Sequence, residues 1–430
     1  MKGLLLFGLA FIVLLIGFSV AFSFGGVALF YAMVTDSMDL FRMMPYRIWS
    51  LMTNITLMAV PLFIMMGIIL QKSGMAERLL ESMGTLFGRV RGGVAVSTVV
   101  VGAILAASTG VVGASVVAMA VIALPVMLKY KYDPKLAAGT ICASGTLGQI
   151  IPPSIVLIIL GEVLQVPVGD LFQAAALPGF CLALIYIVYI LVIAFVRPSI
   201  APALPPDERS LMQRYGEAFK AILPPLVLIV LVLGSIFRGL ATPTESAAVG
   251  VVGAVVLTAV YRRFSFRMLF DAARETVKVT AMIFMILIGA TAFSMVFSFT
   301  GGEEAVATFL TNLPGGEWGF LIISMLAIML LGFFIDFVEI SYIVVPILAP
   351  IAVGYGLDPV WFGILIALNL QTSFLTPPFG FALFYLKGAA PDALTTGQIY
   401  RGVTPFIALQ VVVLLAVLFV PELFMLRGVE

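Results

Sequence analysis

The sequence predicts an all-α polytopic membrane protein made of two inverted-topology repeats, each with a re-entrant hairpin and a broken helix. Three observations lead there. The 430-residue chain is 62% hydrophobic and only 10% charged, with a mean hydropathy of +1.19; a soluble domain carries about 25% charged residues. Apolar runs long enough to cross hydrocarbon, roughly 20 residues, recur along nearly the whole length. A proline frame also recurs. Pro125, Tyr130, Asp133-Pro134 and Pro152-Pro153 are matched 225 residues later by Pro350, Tyr355, Asp358-Pro359 and Pro377-Pro378.

The first run, residues 4–22, follows a single Lys2 and lacks a small-residue cleavage site, so it is expected as a retained span rather than a signal peptide. The first repeat, 1–196, has apolar runs near 3–22, 24–35, 48–70, 93–128, 136–161 and 171–196. Residues 197–220, the longest charged and proline-rich interruption, are expected as a cytoplasmic linker. The second repeat, 221–430, has runs near 221–238, 244–260, 276–298, 318–350, 361–386 and 402–421. Runs 93–128 and 318–350 are too long for one span and short for two with an ordinary loop. Each reads as two close spans or as a hairpin entering and leaving on one face. Irregular backbone at membrane depth is tolerated only under protein or along a watery cavity, so a hairpin implies a lined site.

Charge placement orients the halves. The first hairpin is flanked by Lys72, Arg78, Arg89 and Arg91 before it and by Lys129, Lys131 and Lys135 after it; the second is flanked by 299–318 and 352–359, which hold no Lys or Arg. The loops after the double prolines show the opposite bias: 161–170 has no basic residue, while its partner carries Lys387 and Arg401. The positive-inside rule then puts the ends of the first hairpin in the cytoplasm and those of the second outside. Five full crossings plus one hairpin per half satisfy this and invert the second half. Both termini then fall outside, a placement that Lys2 and Arg427 oppose.

The breaks carry the chemistry. Proline lacks a donor and clashes with the preceding turn, so GTLGQIIPPSI (145–155) and LQTSFLTPPFG (370–380) cannot cross as straight helices. Matched broken helices point to the binding site of a secondary transporter. The middle of the first hairpin, AASTGVVGAS (106–115), brings Ser108, Thr109 and Gly110; the aligned GFFIDFVE (332–339) brings Asp336 and Glu339. Hydroxyls and freed carbonyls are hard oxygen ligands for alkali ions, and a membrane carboxylate is a functional candidate by default. In the unwound segments the candidates are Ser144, Gly145, Thr146 and Gly148, answered by Asn369, Gln371, Thr372, Ser373 and Thr376. Ser144 and Asn369 are equivalent at the 225-residue offset. These groups either ligate an ion or a carboxylate substrate, with half-helix amide ends adding positive potential, or they serve close small-residue packing and satisfy the broken backbone.

Other classes are excluded or bland. The chain has no histidine, which removes His-based zinc sites and His general bases, and no enzymatic activity is expected. A net charge of +1 without a long basic patch gives no nucleic-acid signal. Cys142 and Cys181 fall in apolar segments and read as packed thiols. No membrane-embedded Arg offers itself to a substrate, Arg238 reading as a helix-end residue. In GLATPTESAAVG (239–250), Thr242 or Thr244 can cap a helix, Pro243 fits its first turn and Glu245 complements its positive end. That capping reading and a site role stay equally open.

PLFIMMGIILQKSGMAERLLE (61–81), GTLGQIIPPSI (145–155), GLATPTESAAVG (239–250) and SFLTPPFG (373–380), in this order along nearly the whole chain, resemble the large membrane subunit (DctM type) of tripartite ATP-independent periplasmic (TRAP) transporters. The resemblance implies an elevator-type transporter of the ion-transporter superfamily, with a scaffold and a moving domain that holds the hairpins and broken helices. It implies a Na⁺-coupled importer of organic acids in a bacterial or archaeal cytoplasmic membrane, without an organic cofactor. Its implied partners are a small four-helix membrane subunit (DctQ type) and an extracytoplasmic substrate-binding protein (DctP type). With no four-helix module ahead of it, the chain resembles the unfused subunit. Carried over by position, the sodium-binding features fall on Ser108, Thr109, Gly110, Gly145, Gly148, Asp336, Asn369, Thr372 and Thr376. Many relatives have a longer serine-rich tip where this chain has Ser108-Thr109. Substrate candidates are Ser144, Thr146, Pro152, Gln371, Ser373 and Pro377, with Pro153, Pro378, Thr242, Pro243 and Glu245 structural. The stretch 145–162 resembles most the branch associated with alpha-keto acids, mannitol and chloroaromatic acids. Two other readings are a self-sufficient Na⁺- or H⁺-coupled carrier of organic anions and a non-transporting scaffold, which has no use for matched helix breaks.

Overall fold

A computed structural model describes residues 2–205 and 210–426, without the side chains of Ser108, Thr109 and Leu211. The first half runs α1 (Lys2–Leu15), α2 (Val20–Val34), α3 (Met44–Met52), α4 (Ala59–Lys72), α5 (Met75–Phe87), α6 (Gly93–Thr109), α7 (Val112–Lys129), α8 (Pro134–Thr146), α9 (Ile155–Leu164) and α10 (Val168–Val196). The second half runs α11 (Leu211–Phe237), α12 (Pro243–Val260), α13 (Phe266–Phe299), α14 (Gly302–Thr311), α15 (Glu317–Leu331), α16 (Phe337–Glu339), α17 (Val345–Gly354), α18 (Pro359–Leu375), α19 (Phe381–Ala389) and α20 (Thr396–Phe419). The repeat extends beyond the proline frame. At the 225-residue offset α11 answers α1, α12 answers α2, and α13 covers both α3 and α4. The segment 337–354, which holds α16, a π-helical turn (Ile340–Val344) and α17, answers α7 residue for residue.

The halves interlock. α2 packs along α13 while α12 packs along α4, a reciprocal exchange of equivalent helices. Both contacts are made at glycine: a Cβ on Gly25 would stand 3.2 Å from the Gly289 Cα, and one on Gly250 would stand 2.6 Å from Met66 Sδ. Small residues let transmembrane backbones approach where the hydrophobic effect offers no drive. Among the described residues seven helical segments are long and apolar enough to cross a membrane: α7, α10, α11 from Met212, α12, α13, 337–354 and α20. Large apolar side chains such as Phe180, Phe195, Leu231 and Val252 stand exposed on their outer faces, as lipid contact requires. α4 and α5 meet at a bend of 59°.

Three expected boundaries change. Residues 4–22 are not one span, because the chain turns at Gly17 (φ +102°) between α1 and α2, and α2 takes in the run 24–35. The run 48–70 splits into α3 and α4, since the Thr53 hydroxyl donates to the Trp49 carbonyl (2.8 Å) and Asn54 Oδ1 accepts from Leu57 N (3.1 Å). The linker is shorter than 197–220. A capping box between Ser210 and Gln213 starts α11, so its last ten residues are already helical. Arg427 lies outside the described residues.

Both long runs are hairpins whose ends meet. In the first, α6 and α7 join at Gly110-Val111, and their far ends are tied together by Val94 N donating to Tyr132 Oη (3.3 Å). The connector after α10 lies across this base: Gly92 N donates to the Ala201 carbonyl (3.0 Å), Leu204 N to Gly88 (2.7 Å) and Asp133 N to Ile200 (2.8 Å). In the second hairpin the base is closed by Phe320 against Tyr355 (ring centroids 5.6 Å) and by Tyr355 Oη donating to the Thr311 carbonyl (3.5 Å). The two bases therefore sit in loops of opposite charge character. Single cysteines at Lys131 and Gly356 are expected to label from opposite faces of the membrane in intact cells and inverted vesicles. Labelling from one face would defeat the inversion.

Candidate functional site

The two broken helices are built alike. Asp133 caps α8 by accepting from Lys135 N (2.7 Å), and Asp358 caps α18 by accepting from Val360 N (2.7 Å) and Trp361 N (3.0 Å), each ahead of a proline in the first turn. α8 ends in a 3₁₀ turn (Leu147–Gln149) and the chain crosses Pro152-Pro153 before α9 begins; α18 gives way to Thr376 and Pro377-Pro378 before α19. Both Pro-Pro bonds are cis. Ser154 fastens the first break: its hydroxyl donates to the Gln149 carbonyl (2.6 Å) and accepts from Leu157 N (3.5 Å).

Each break lies in the fork of its hairpin. On the α6 arm, a Cβ on Gly102 would stand 2.5 Å from the Ser144 Cβ, and one on Gly148 would stand 2.9 Å from the Ala106 carbonyl oxygen. Gly145 faces Val116 of α7 so closely that a Cβ would collide with it. Gly110, in the left-handed region (φ +61°), turns the tip against Ile155, the first residue of α9. Thus Gly145, Gly148 and Gly110, expected as ion ligands, are also the positions where this fork closes. In the second half Gly332 abuts the Ser373 hydroxyl, Asn369 Nδ2 donates to the Met325 carbonyl of α15 (2.5 Å), and Phe337 packs against Phe374 (6.3 Å).

The two forks adjoin. α8 and its 3₁₀ turn contact α18. Gln410 Nε2 of α20 donates to Thr146 Oγ1 (3.5 Å), the Cys142 thiol to the Ala382 carbonyl (3.6 Å), and Tyr385 of α19 lies over Gly113 of α7. Cys142 and Cys181 are both free thiols.

The hydroxyls have a common state. Ser144 donates to the Ile141 carbonyl (3.1 Å), Thr146 to Ala143 (2.9 Å), Thr372 to Leu368 (2.8 Å), Ser373 to Leu370 (2.8 Å) and Thr376 to Thr372 (2.7 Å). A hydroxyl that donates backward to its own helix keeps lone pairs for a cation or a donor. Ser108 and Thr109 end α6, but their side chains lie outside the described ones. Pro152 and Pro153 are buried; Pro377 is half-buried, and Pro378 is exposed with its carbonyl accepting from Tyr400 Oη (2.8 Å).

Sharper signals come from buried groups without partners. Gln149 and Gln371, both fully buried, leave amide nitrogen and oxygen unpaired, and Glu339, 1% exposed, leaves both carboxylate oxygens unpaired. Such groups are costly in a dry interior unless something else satisfies them. Asp336 opens α16 by accepting from Phe337 N (2.7 Å). Gln149 and Gln410 are polar residues that sequence reading missed. Gln149 stood inside the quoted break motif, but nothing local marked Gln410, whose partner Thr146 is 264 residues away.

Thr242, Pro243 and Glu245 stay apart from the forks. They form a capping box at the start of α12, with Thr242 N donating to Glu245 Oε2 (2.8 Å) and Glu245 N to Thr242 Oγ1 (3.3 Å). Thr244 Oγ1 then ties this turn to the Ile55 carbonyl (2.7 Å). The capping alternative accounts for the motif.

Comparison with known proteins gives a consistent outcome. The family model described as "Tripartite ATP-independent periplasmic transporter, DctM component" matches residues 7–423. The C4-dicarboxylate TRAP transporter large permease protein DctM of Pseudomonas aeruginosa is 33% identical over 386 residues, 90% of this chain and 89% of that protein. The sialic acid TRAP transporter large permease protein SiaM of Vibrio cholerae is 30% identical over 431 residues, 98% of each. Among solved structures, the YdaH transporter of Alcanivorax borkumensis, described as having an unusual topology, superposes with a TM-score of 0.54 at 14% identity, covering 83% of this chain and 85% of that one. That likeness concerns the fold alone.

Proposed function

We propose that this chain, which belongs to the DctM family of tripartite ATP-independent periplasmic transporters, is the large permease subunit of a Na⁺-coupled symporter that imports a small organic acid. It is a multi-pass protein of the bacterial inner membrane, and its relatives are named as permeases rather than enzymes. The observation that carries the reading is the pair of broken helices, each held in a hairpin fork with polar groups left unsatisfied. Such breaks present carbonyls to cations and amide ends to anions. Among the described residues no three His, Cys, Asp or Glu converge, and the oxygens at the forks are hydroxyls, amides, carbonyls and two carboxylates. That donor set suits an alkali ion. The Gln371 amide, whose NH2 has no partner, suits a carboxylate without a buried arginine, and Ser144, Thr146 and Ser373 join it as donors once their hydroxyls turn away from their own helices.

In this reading a DctP-type extracytoplasmic protein delivers the acid, and a DctQ-type small membrane subunit braces the outer helices while the forks move between the two faces. Reconstituted with both partners, the protein is expected to accumulate the ligand bound by its cognate binding protein only under an inward Na⁺ gradient. Undiminished uptake without Na⁺ would overturn the coupling. Transport by this subunit alone would favour the self-sufficient carrier.

A further inference from the structure

Glu339 is the residue whose state the fold leaves least explained. It ends α16 at the tip of the second hairpin, 1% exposed, and neither carboxylate oxygen has a hydrogen-bond partner. The carboxylate lies by the backbone amides of Asp336 and of Glu339 itself without reaching hydrogen-bond geometry, and it faces the Asp336 carboxylate closely enough to interact with it electrostatically. Two carboxyl groups, Glu339 buried and Asp336 half-buried, thus share one tip.

Among the described residues no basic side chain pairs with them. Among the described residues the side-chain ion pairs are Arg42–Asp39 and Lys72–Glu275. Arg214, the one fully buried basic residue among those described, donates to the Thr85 carbonyl on α5 (3.2 Å). Tyr385 of α19 interacts electrostatically with Asp336, and Tyr342 of the π turn with Glu162 of α9; none of these adds a positive charge. Right after Glu339 the helix widens into the π-helical turn Ile340–Val344. Such turns shift carbonyls out of regular pairing and recur at functional sites. Ser341 in this turn and Ser324 on α15, which packs against it, are buried with hydroxyl oxygens that have no partner.

We infer that Glu339 is a direct oxygen ligand for a small alkali cation, which it shares with Asp336 at the tip of the second hairpin. A cation there neutralises two adjacent carboxylates, one of them fully buried, that repel each other when ionised. The second carboxylate makes loading of the tip with a cation a condition for burying it. This assignment rests on the Na⁺-coupled reading above and adds a ligand to it.

The test uses the protein assembled with its small membrane subunit in nanodiscs, with NaCl titrated against choline chloride and no acid present. Wild-type protein is expected to gain thermal stability with Na⁺. Glu339→Gln, which keeps shape and removes charge, is expected to raise the Na⁺ concentration for half-maximal stabilisation by about tenfold or more, the scale of one charged ligand lost. Glu339→Asp, should the glutamine variant not fold, is expected to raise it by a smaller factor. A folded variant of either kind that titrates like wild type overturns the assignment of Glu339 and leaves Na⁺ coupling standing. A wild-type protein indifferent to Na⁺ removes both.

Discussion

Asp336→Asn is expected to abolish concentrative uptake, or to raise the Na⁺ concentration for half-maximal transport by about tenfold or more, without loss of folded protein. The substitution separates charge from structure. The structural job of Asp336 is to cap α16 by accepting from Phe337 N at 2.7 Å, and asparagine caps helices about as well through the same oxygen. What asparagine lacks is the negative charge. In a low-dielectric interior a carboxylate contributes far more to holding a cation than a neutral amide oxygen does. Steady-state uptake against Na⁺ concentration, with expression and subunit assembly measured in parallel, checks it. Activity and folded protein falling together would assign Asp336 to the fold.

Gly402→Ala or Gly139→Ala is expected to do the reverse, costing stability while leaving the Na⁺ requirement of the remaining folded protein unchanged. α8 and α20 cross at these two glycines. A Cβ on Gly402 would run into the Lys135 carbonyl, and one on Gly139 into the Gly402 carbonyl with Phe406 Cε2 at 2.8 Å. The obstructing atoms are backbone, so the helices must part. Overpacking of this kind costs roughly 1–3 kcal/mol. Parting them also stretches the Gln410–Thr146 hydrogen bond, already 3.5 Å long. The two changes press on one contact, so the double variant should lose less than the sum of the singles. Thermal unfolding of the purified protein reads the effect, and unaltered unfolding in both single variants would contradict the close approach.

Much of the backbone of the candidate site was legible because its markers act locally. Proline removes a donor and fixes φ wherever it stands, so the two Pro-Pro breaks could be placed from spacing alone, whereas the caps made by Asp133 and Asp358 emerged with the structure. Asp336 stood out because a carboxylate in an apolar run needs a reason to be there. The Thr242–Glu245 box was legible as chemistry but not as role, since a capping turn and a binding turn use the same residues. The misplaced boundaries were also local in origin. A hydropathy run does not register the turn at Gly17 (φ +102°), because glycine is compatible with an apolar segment on either side of a bend.

By itself the sequence determined that this chain lives in a membrane, that it repeats at 225 residues, and where its helices break. These follow from the scarcity of charge and from proline geometry, which no partner can override. Only the tertiary structure decided which polar groups are satisfied. The amide of Asn369 found the Met325 carbonyl 44 residues away and Thr146 found Gln410, while Gln149, Gln371 and Glu339 found nothing. The exchange of α2 onto α13 and α12 onto α4 was decided there as well. Whether a buried polar atom has a partner depends on what distant segments bring within about 3 Å of it, and that is set by how helices cross rather than by what stands next to it in the chain.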